Sequence, residues 1–289
     1  MTDIRPRRSM LFMPGSNVRA LEKAKTLACD GIIFDLEDAV APDAKSIARE
    51  QVEAAVRAGG YGHRELIVRI NGLNTPWWRD DLKAVAGLAV AAVLLPKVED
   101  AAVFSCVEKE LAKYGGRGTA LWAMLETPMA FLRAEEIATA SERLKCLVIG
   151  TNDLVKDLHG QHTPDRQPVM TALGVALLVA RSYGLVALDG VYNDFKDVDG
   201  FYAECCQGRA LGFDGKTLIH PAQIEAANKV YGPSEAECVE ACRIIAAFSA
   251  AEAEGKGVAV LDGRMVEDLH VKQALRMLAV AEAIANRAT

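Results

Sequence analysis

The sequence predicts an α/β protein, a (β/α)8 TIM barrel followed by a C-terminal helical extension. Three observations carry that expectation. Eight short, nearly continuous apolar runs lie in the first three quarters of the chain, helix-like segments separate them, and the pattern changes after residue 221. Runs without polar alternation suit strands buried on both faces, and parallel strands need crossover helices between them.

In order, the runs cover residues 10–13, 31–36, 66–70, 92–95, 120–125, 146–149, 185–188 and 217–219. After the first, residues 18–27 show helical spacing, with Asn17 placed to cap them. After the second, residues 41–58 open on Pro42 and Asp43, a helix-start pair. The first turn reads Pro14-Gly15-Ser16-Asn17, not the GxGxxG of a dinucleotide fold, and eight βα units exceed the usual doubly wound sheet. Beyond Pro221, helix-like segments at 222–230, 234–254 and 265–285 are split by Gly255-Lys256-Gly257 and Asp262-Gly263. The expected division is a barrel over 1–221 and a helical extension over 222–289. That extension shows no core of its own, so it is expected to pack on the barrel or on a neighbouring subunit.

Composition narrows the function classes. The 289 residues are 51% hydrophobic and 25% charged, which suits a large globular core. A net charge of −6 provides no electrostatic footprint for nucleic acid. The apolar stretch at 10–13 stops at Pro14 and the one at 84–96 is too short to span a bilayer, so no signal peptide or membrane span is expected and a cytoplasmic location is. Seven cysteines without paired spacing read as reduced thiols. Arg5, Arg7 and Arg8 form a small basic cluster, suited to a phosphate contact or to a solvated terminus.

In a parallel barrel the chemistry gathers where strands end. The residues just past the apolar runs are Asp35, Glu37 and Asp38, then Arg69 and Asn71, Lys97, Glu126, Asn152 and Asp153, Asp189, and His220. Glu126 and Asp153 follow adjacent runs and suit a hard divalent cation, which takes one or two protein carboxylates. The alternative is helix capping, or ion pairs with Lys97 or Arg69. Arg69 has the planar fork that grips a carboxylate, unless an ion pair with the acids at 35–38 occupies it. His220, beside Pro221, has no partner histidine at ligand spacing and reads as structural or as a cofactor contact. No GxSxG, Walker loop or Cys-His pairing offers a nucleophile.

Eight strings together resemble the citrate lyase β-subunit and malyl-CoA lyase family, within the HpcH/HpaI aldolase superfamily. They are RRSMLFMPGSN at 7–17, FDLEDAVAPDAK at 34–45, VRINGLNTPW at 68–77, LLPKVE at 94–99, LETP at 125–128, IGTNDL at 149–154, GFDGKTLIHPAQI at 212–224 and LDGRMVE at 261–267. The resemblance runs in family order over nearly the whole chain. It implies a TIM barrel with a helical extension, assembled as a homotrimer or a hexamer, and Mg²⁺ (or Mn²⁺) on Glu126 and Asp153. It further implies that Arg69 binds the carboxylate of a keto acid such as glyoxylate or pyruvate, that Asp38 supports the site, and that Phe12, Arg19, Lys23 and His220 hold coenzyme A. Arg19 and Lys23 lie one helical turn apart, which agrees with that role and equally with a solvated face.

The family chemistry implied is a reversible Claisen-type cleavage of malyl-CoA or citramalyl-CoA to a keto acid and an acyl-CoA. In the lyases that the chain resembles, an aspartate from the C-terminal extension of a neighbouring subunit reprotonates the enolate. Here Glu267 stands at that position. The leading expectation is therefore a Mg²⁺-dependent CoA-ester lyase. Its rivals are a malyl-CoA thioesterase and a citrate lyase β subunit acting with an acyl-carrier protein, the latter disfavoured by the Ile219-His220-Pro221 segment.

Overall fold

The computed structural model describes residues 4–287. Eight strands form one closed, all-parallel barrel in sequence order: β1 (Ser9–Pro14), β2 (Gly31–Asp35), β3 (Glu65–Arg69), β4 (Ala92–Leu95), β5 (Ala120–Leu125), β6 (Leu144–Ile149), β7 (Val186–Asp189) and β8 (Gly215–Leu218). Between them run α1 (Val18–Ala24), α2 (Lys45–Ala58), α3 (Trp78–Val85), α4 (Ala102–Lys113), α5 (Pro128–Leu132), α6 (Ala134–Thr139), α7 (Thr151–Asp157), α8 (Met170–Ser182) and α9 (Val198–Leu211). After β8 come α10 (Ile224–Tyr231), α11 (Glu235–Ala253), a two-stranded ribbon of β9 (Ala259–Leu261) and β10 (Arg264–Val266), and α12 (Asp268–Ala285). The expected barrel and its eight strands are present.

Local signals account for several boundaries. Asn17 caps α1 by accepting the Ala20 N–H at 3.1 Å. Pro42 opens a single 3-10 turn that leads directly into α2. Alternate strand residues meet inside the barrel, where Met10, Ile33, Ile67, Leu94, Trp122, Met124, Val148 and Leu188 pack as one buried cluster. The barrel closes where Ser9, Met10 and Leu11 of β1 pair with Lys216, Thr217 and Leu218 of β8.

Arg7 and Arg8 are spent at the strand N-terminal end. Arg7 grips Glu65 at 2.6 and 2.8 Å, and Arg8 grips Asp30 at 2.8 Å. A phosphate contact by these two arginines, raised from the sequence, gives way to ion pairs with buried carboxylates.

The chain divides into two compact units, one over Arg7–Asn228 and the other over residues 4–6 and 229–287 of those described. The second departs from expectation in two ways. It contains a β-hairpin, and it has a small core of its own in which Phe248 and Ala251 of α11 meet Ala259 and Val266. The hairpin turn is Asp262-Gly263, both with positive φ (49° and 76°), between the paired Leu261 and Arg264. That is the two-residue turn that matches strand twist, and it folds β9 and β10 back onto α11. No helix among the described residues is long and apolar enough to cross a membrane.

Candidate active site

The site lies at the C-terminal end of the barrel, where β1 to β6 and β8 all contribute. Asp35 and Arg69 are register partners ending β2 and β3. Their side chains meet fork to fork, Arg69 Nε to Asp35 Oδ1 at 2.7 Å and Nη2 to Oδ2 at 2.6 Å. Burial alone would raise the Asp35 carboxyl, but the guanidinium beside it holds it below the ordinary carboxylate range. The remaining terminal nitrogen, Nη1, lies 3.0 Å from Glu37 Oε2 and 3.4 Å from Asp38 Oδ2. The guanidinium carbon sits 4.9 Å from the centre of the Phe12 ring. The ion-pair alternative for Arg69 is thus observed, and its paired nitrogens are engaged by Asp35.

The segment carrying Glu37 and Asp38 is strapped from behind. Lys45 at the start of α2 donates to the carbonyls of Leu36 and Glu37 at 2.8 and 2.7 Å, while its ammonium lies 5.3 Å from the Trp77 ring centre. Sequence reasoning missed Lys45, because a lysine opening a helix ordinarily reads as solvated.

Glu126 follows β5 and is 2% exposed. Its Oε1 accepts the backbone N–H of Lys97 at 2.7 Å. Burial pushes the Glu126 carboxyl up to about 7; the Lys97 N–H works against that rise and the Glu37 charge adds to it. Gly150, between β6 and α7, makes the pocket possible, since a Cβ there would collide with Glu126 Cβ and Oε2. Asp153 lies in the first turn of α7, with Lys156 Nζ at 3.1 Å and Lys97 Nζ at 3.5 Å. Burial opposes its ionisation, yet the two lysines hold it below its usual range. Because Leu125 and Ile149 are register partners, the segments bearing Glu126 and Asp153 leave the barrel side by side.

A cavity of about 360 Å³ opens here, and Phe12, Asp38, Arg69, Glu126 and Asp153 all line it. Arg19, Lys23 and His220 are not among its lining residues. Arg19 and Lys23 are exposed on α1, where neither side chain forms an ion pair among the described residues. His220 accepts the Ala222 N–H on Nδ1 at 3.2 Å and stacks on Phe195 with ring centres 4.5 Å apart. Glu267 belongs to the C-terminal unit, where its N–H donates to His270 Nδ1 at 3.0 Å ahead of α12. Two strand-end residues serve structure. Asn71 donates to Asp81 at 2.7 and 2.9 Å, and Asp189 is enclosed by Arg166 at 2.7 Å and Lys216 at 3.1 Å.

The donor chemistry fits a hard cation. Among the described residues no group of three or more His, Cys, Asp or Glu forms a ready-made metal cage. A pair of carboxylates facing a solvent-accessible cavity is what Mg²⁺ uses when water and substrate complete its shell.

An acidic cavity at the C-terminal mouth of an eight-stranded parallel barrel places the protein among barrels that carry their chemistry on that face. The chain belongs to the HpcH/HpaI aldolase/citrate lyase family, whose model matches residues 8–221. It is 53% identical over 280 residues to a (3S)-malyl-CoA thioesterase of Cereibacter sphaeroides, covering 97% of this chain and 96% of that protein. An L-malyl-CoA/beta-methylmalyl-CoA lyase from the same species is 36% identical over 305 residues, covering 97% and 96%. Among solved structures, CitE from Mycobacterium tuberculosis in complex with magnesium, acetoacetate and coenzyme A is similar at a TM-score of 0.79 and 32% identity, covering 96% of this chain and all of that one.

Proposed function

We propose that this protein hydrolyses the thioester of a malyl-CoA-type substrate in a reaction dependent on Mg²⁺. The carrying observation is the pairing of Glu126 and Asp153 on neighbouring strand ends of one cavity that Arg69 also lines. The reading places thioester hydrolysis ahead of carbon–carbon cleavage, the reverse of the order expected from sequence. Two things favour that order: the 53% identity to a malyl-CoA thioesterase, and glutamate at 267 where the resemblance puts an aspartate in the lyases.

Glu126 and Asp153 would hold the cation, which when bound supplies Lewis-acid polarisation of a carbonyl oxygen. The chain's own groups do the rest. Arg69, fixed by Asp35, presents its Nη1 as a charge-assisted donor for the substrate's free carboxylate, with Asp38 and Glu37 competing for the same nitrogen until substrate arrives. Phe12 packs its ring against the Arg69 guanidinium and helps hold it in place. Arg19 and Lys23 would neutralise coenzyme A phosphates, with His220 shaping the approach. In the overall step the water oxygen bonds to the thioester carbon, the C–S bond breaks, coenzyme A leaves as a thiolate that takes a proton, and the product acid ionises.

The second reading, a CoA-ester lyase, draws on the 36% identity to a malyl-CoA lyase. It uses the same grip and assigns Glu267, in a trimer or hexamer, to enolate protonation. Incubation with malyl-CoA and Mg²⁺, following free thiol and glyoxylate separately with an EDTA control, distinguishes the two. Metal-dependent thiol without glyoxylate is expected. Glyoxylate with acetyl-CoA would replace hydrolysis by cleavage, and silence in both channels would remove malyl-CoA as the substrate.

A further inference from the structure

We propose that Lys97 is a built-in counter-ion of the acidic cavity, holding Asp153 while no divalent cation is bound and yielding that carboxylate to the metal. This rests on the reading of Glu126 and Asp153 as metal ligands and adds a competitor to it. The Lys97 ammonium stands among three carboxylates, 3.1 Å from Glu37 Oε1, 3.5 Å from Asp153 Oδ2 and 3.7 Å from Asp38 Oδ1. Of these, Glu37 alone is held by a hydrogen bond. The contact with Asp153 is therefore looser than that with Glu37, and Glu37 and Asp38 remain to receive the charge when Asp153 is taken.

The backbone ties the same residue to the other ligand. Lys97 adopts φ of 49°, a left-handed conformation that is strained for a non-glycine residue. In that conformation its N–H points to Glu126 Oε1. One residue thus orients one proposed ligand through its main chain and neutralises the other through its side chain.

The second cation of the cluster cannot take this role. Arg69 is 7% exposed and locked on Asp35 by two hydrogen bonds. Lys97 is on a flexible stem with its side chain 39% exposed, so its ammonium is free to swing. A divalent cation on Glu126 and Asp153 repels an ammonium a few ångströms away, so metal binding and the Lys97–Asp153 contact oppose each other.

The test is Mg²⁺ titration by calorimetry, repeated with Mn²⁺ by electron paramagnetic resonance, on wild type, Lys97→Met, Lys97→Gln and Lys156→Met. Thermal melts in EDTA and in saturating Mg²⁺ accompany each titration. Both Lys97 variants should bind metal at least about tenfold more tightly. They should melt lower than wild type in EDTA, and saturating Mg²⁺ should narrow that gap, leaving only the loss of the Glu37 and Asp38 contacts. Lys156 also touches Asp153 but is 68% exposed, so its loss should change affinity no more than about twofold. Unchanged or weaker metal binding in both Lys97 variants overturns the proposal, as does an equal gain from Lys156→Met or a melting loss that metal does not reduce. Wild type that binds neither metal overturns the ligand assignment itself, and the proposal with it.

Discussion

Arg69 and Asp35 are paired twice over: their backbones are register partners on adjacent strands, and their side chains close two hydrogen bonds of 2.7 and 2.6 Å. The strand register sets the height of both side chains, so the guanidinium reaches the cavity already oriented. Its positive charge is matched by Asp35, a carboxylate that a substrate binding as proposed would not need to displace.

Arg69→Lys should expose that dependence. An ammonium cannot satisfy both Asp35 oxygens, and breaking a buried pair by removing one partner costs about 3–5 kcal/mol. The lysine keeps the charge, so a loss toward the lower end is expected in urea unfolding, together with a fall in kcat/KM of at least about tenfold. Wild-type values for both would remove Arg69 from the site.

Glu126→Gln should split activity from stability. Metal-dependent turnover should fall by about a thousandfold or more as a carboxylate ligand is lost. In EDTA at pH 8 the variant should be more stable than wild type, because a buried carboxylate that resists ionisation is gone. Equal melting temperatures in EDTA would contradict the strained ionisation of Glu126.

The same group dictates a pH dependence. Its folded-state value of about 7 lies above the ordinary 4.5, so the folded state binds its proton more tightly than the unfolded chain. Its contribution to stability is therefore fully present below 4.5 and is lost as pH rises to about 7. Metal binding needs the ionised form. The rise in melting temperature on adding Mg²⁺ should therefore be larger at pH 8 than at pH 6, and a rise independent of pH would refute it.

Gly150→Ala should mimic the loss of a proposed metal ligand without replacing one. The new methyl group meets Glu126 Cβ and Oε2, and overpacking of this kind costs about 1–3 kcal/mol. Mg²⁺ affinity should drop at least tenfold, about 1.4 kcal/mol. Unaltered affinity would show that Glu126 has another place to go.

Most of the barrel is legible from apolar runs, and the errors have physical causes. Read from sequence, the β6 run starts at Cys146, though the strand begins at Leu144, because the exposed Lys145 interrupts it. In β8 the signal is weakened by Lys216, a charged residue that is fully buried only because Asp189 and Glu204 neutralise it. The β9–β10 hairpin had a readable signal in Asp262-Gly263, but its strands are three residues each, too short to show alternation. Within the site, position after a strand singled out Glu126, Asp153, Arg69 and Asp38. It could not reveal that Lys97 acts through its backbone N–H or that Gly150 matters for the side chain it lacks. It equally could not tell that Asn71 and Asp189 are engaged by Asp81, Arg166 and Lys216, since those partners lie on other elements.

The seam between β1 and β8 imposes an order on synthesis. The first strand finds β2 as soon as residues 31–35 are made, but its other edge has no partner until residues 216–218 emerge. At ribosomal speeds of about 5–20 residues per second, that edge stays open for roughly 10–40 s. Throughout that interval the nascent chain carries an apolar strand with one edge open, the kind of edge that pairs with other chains when nothing covers it.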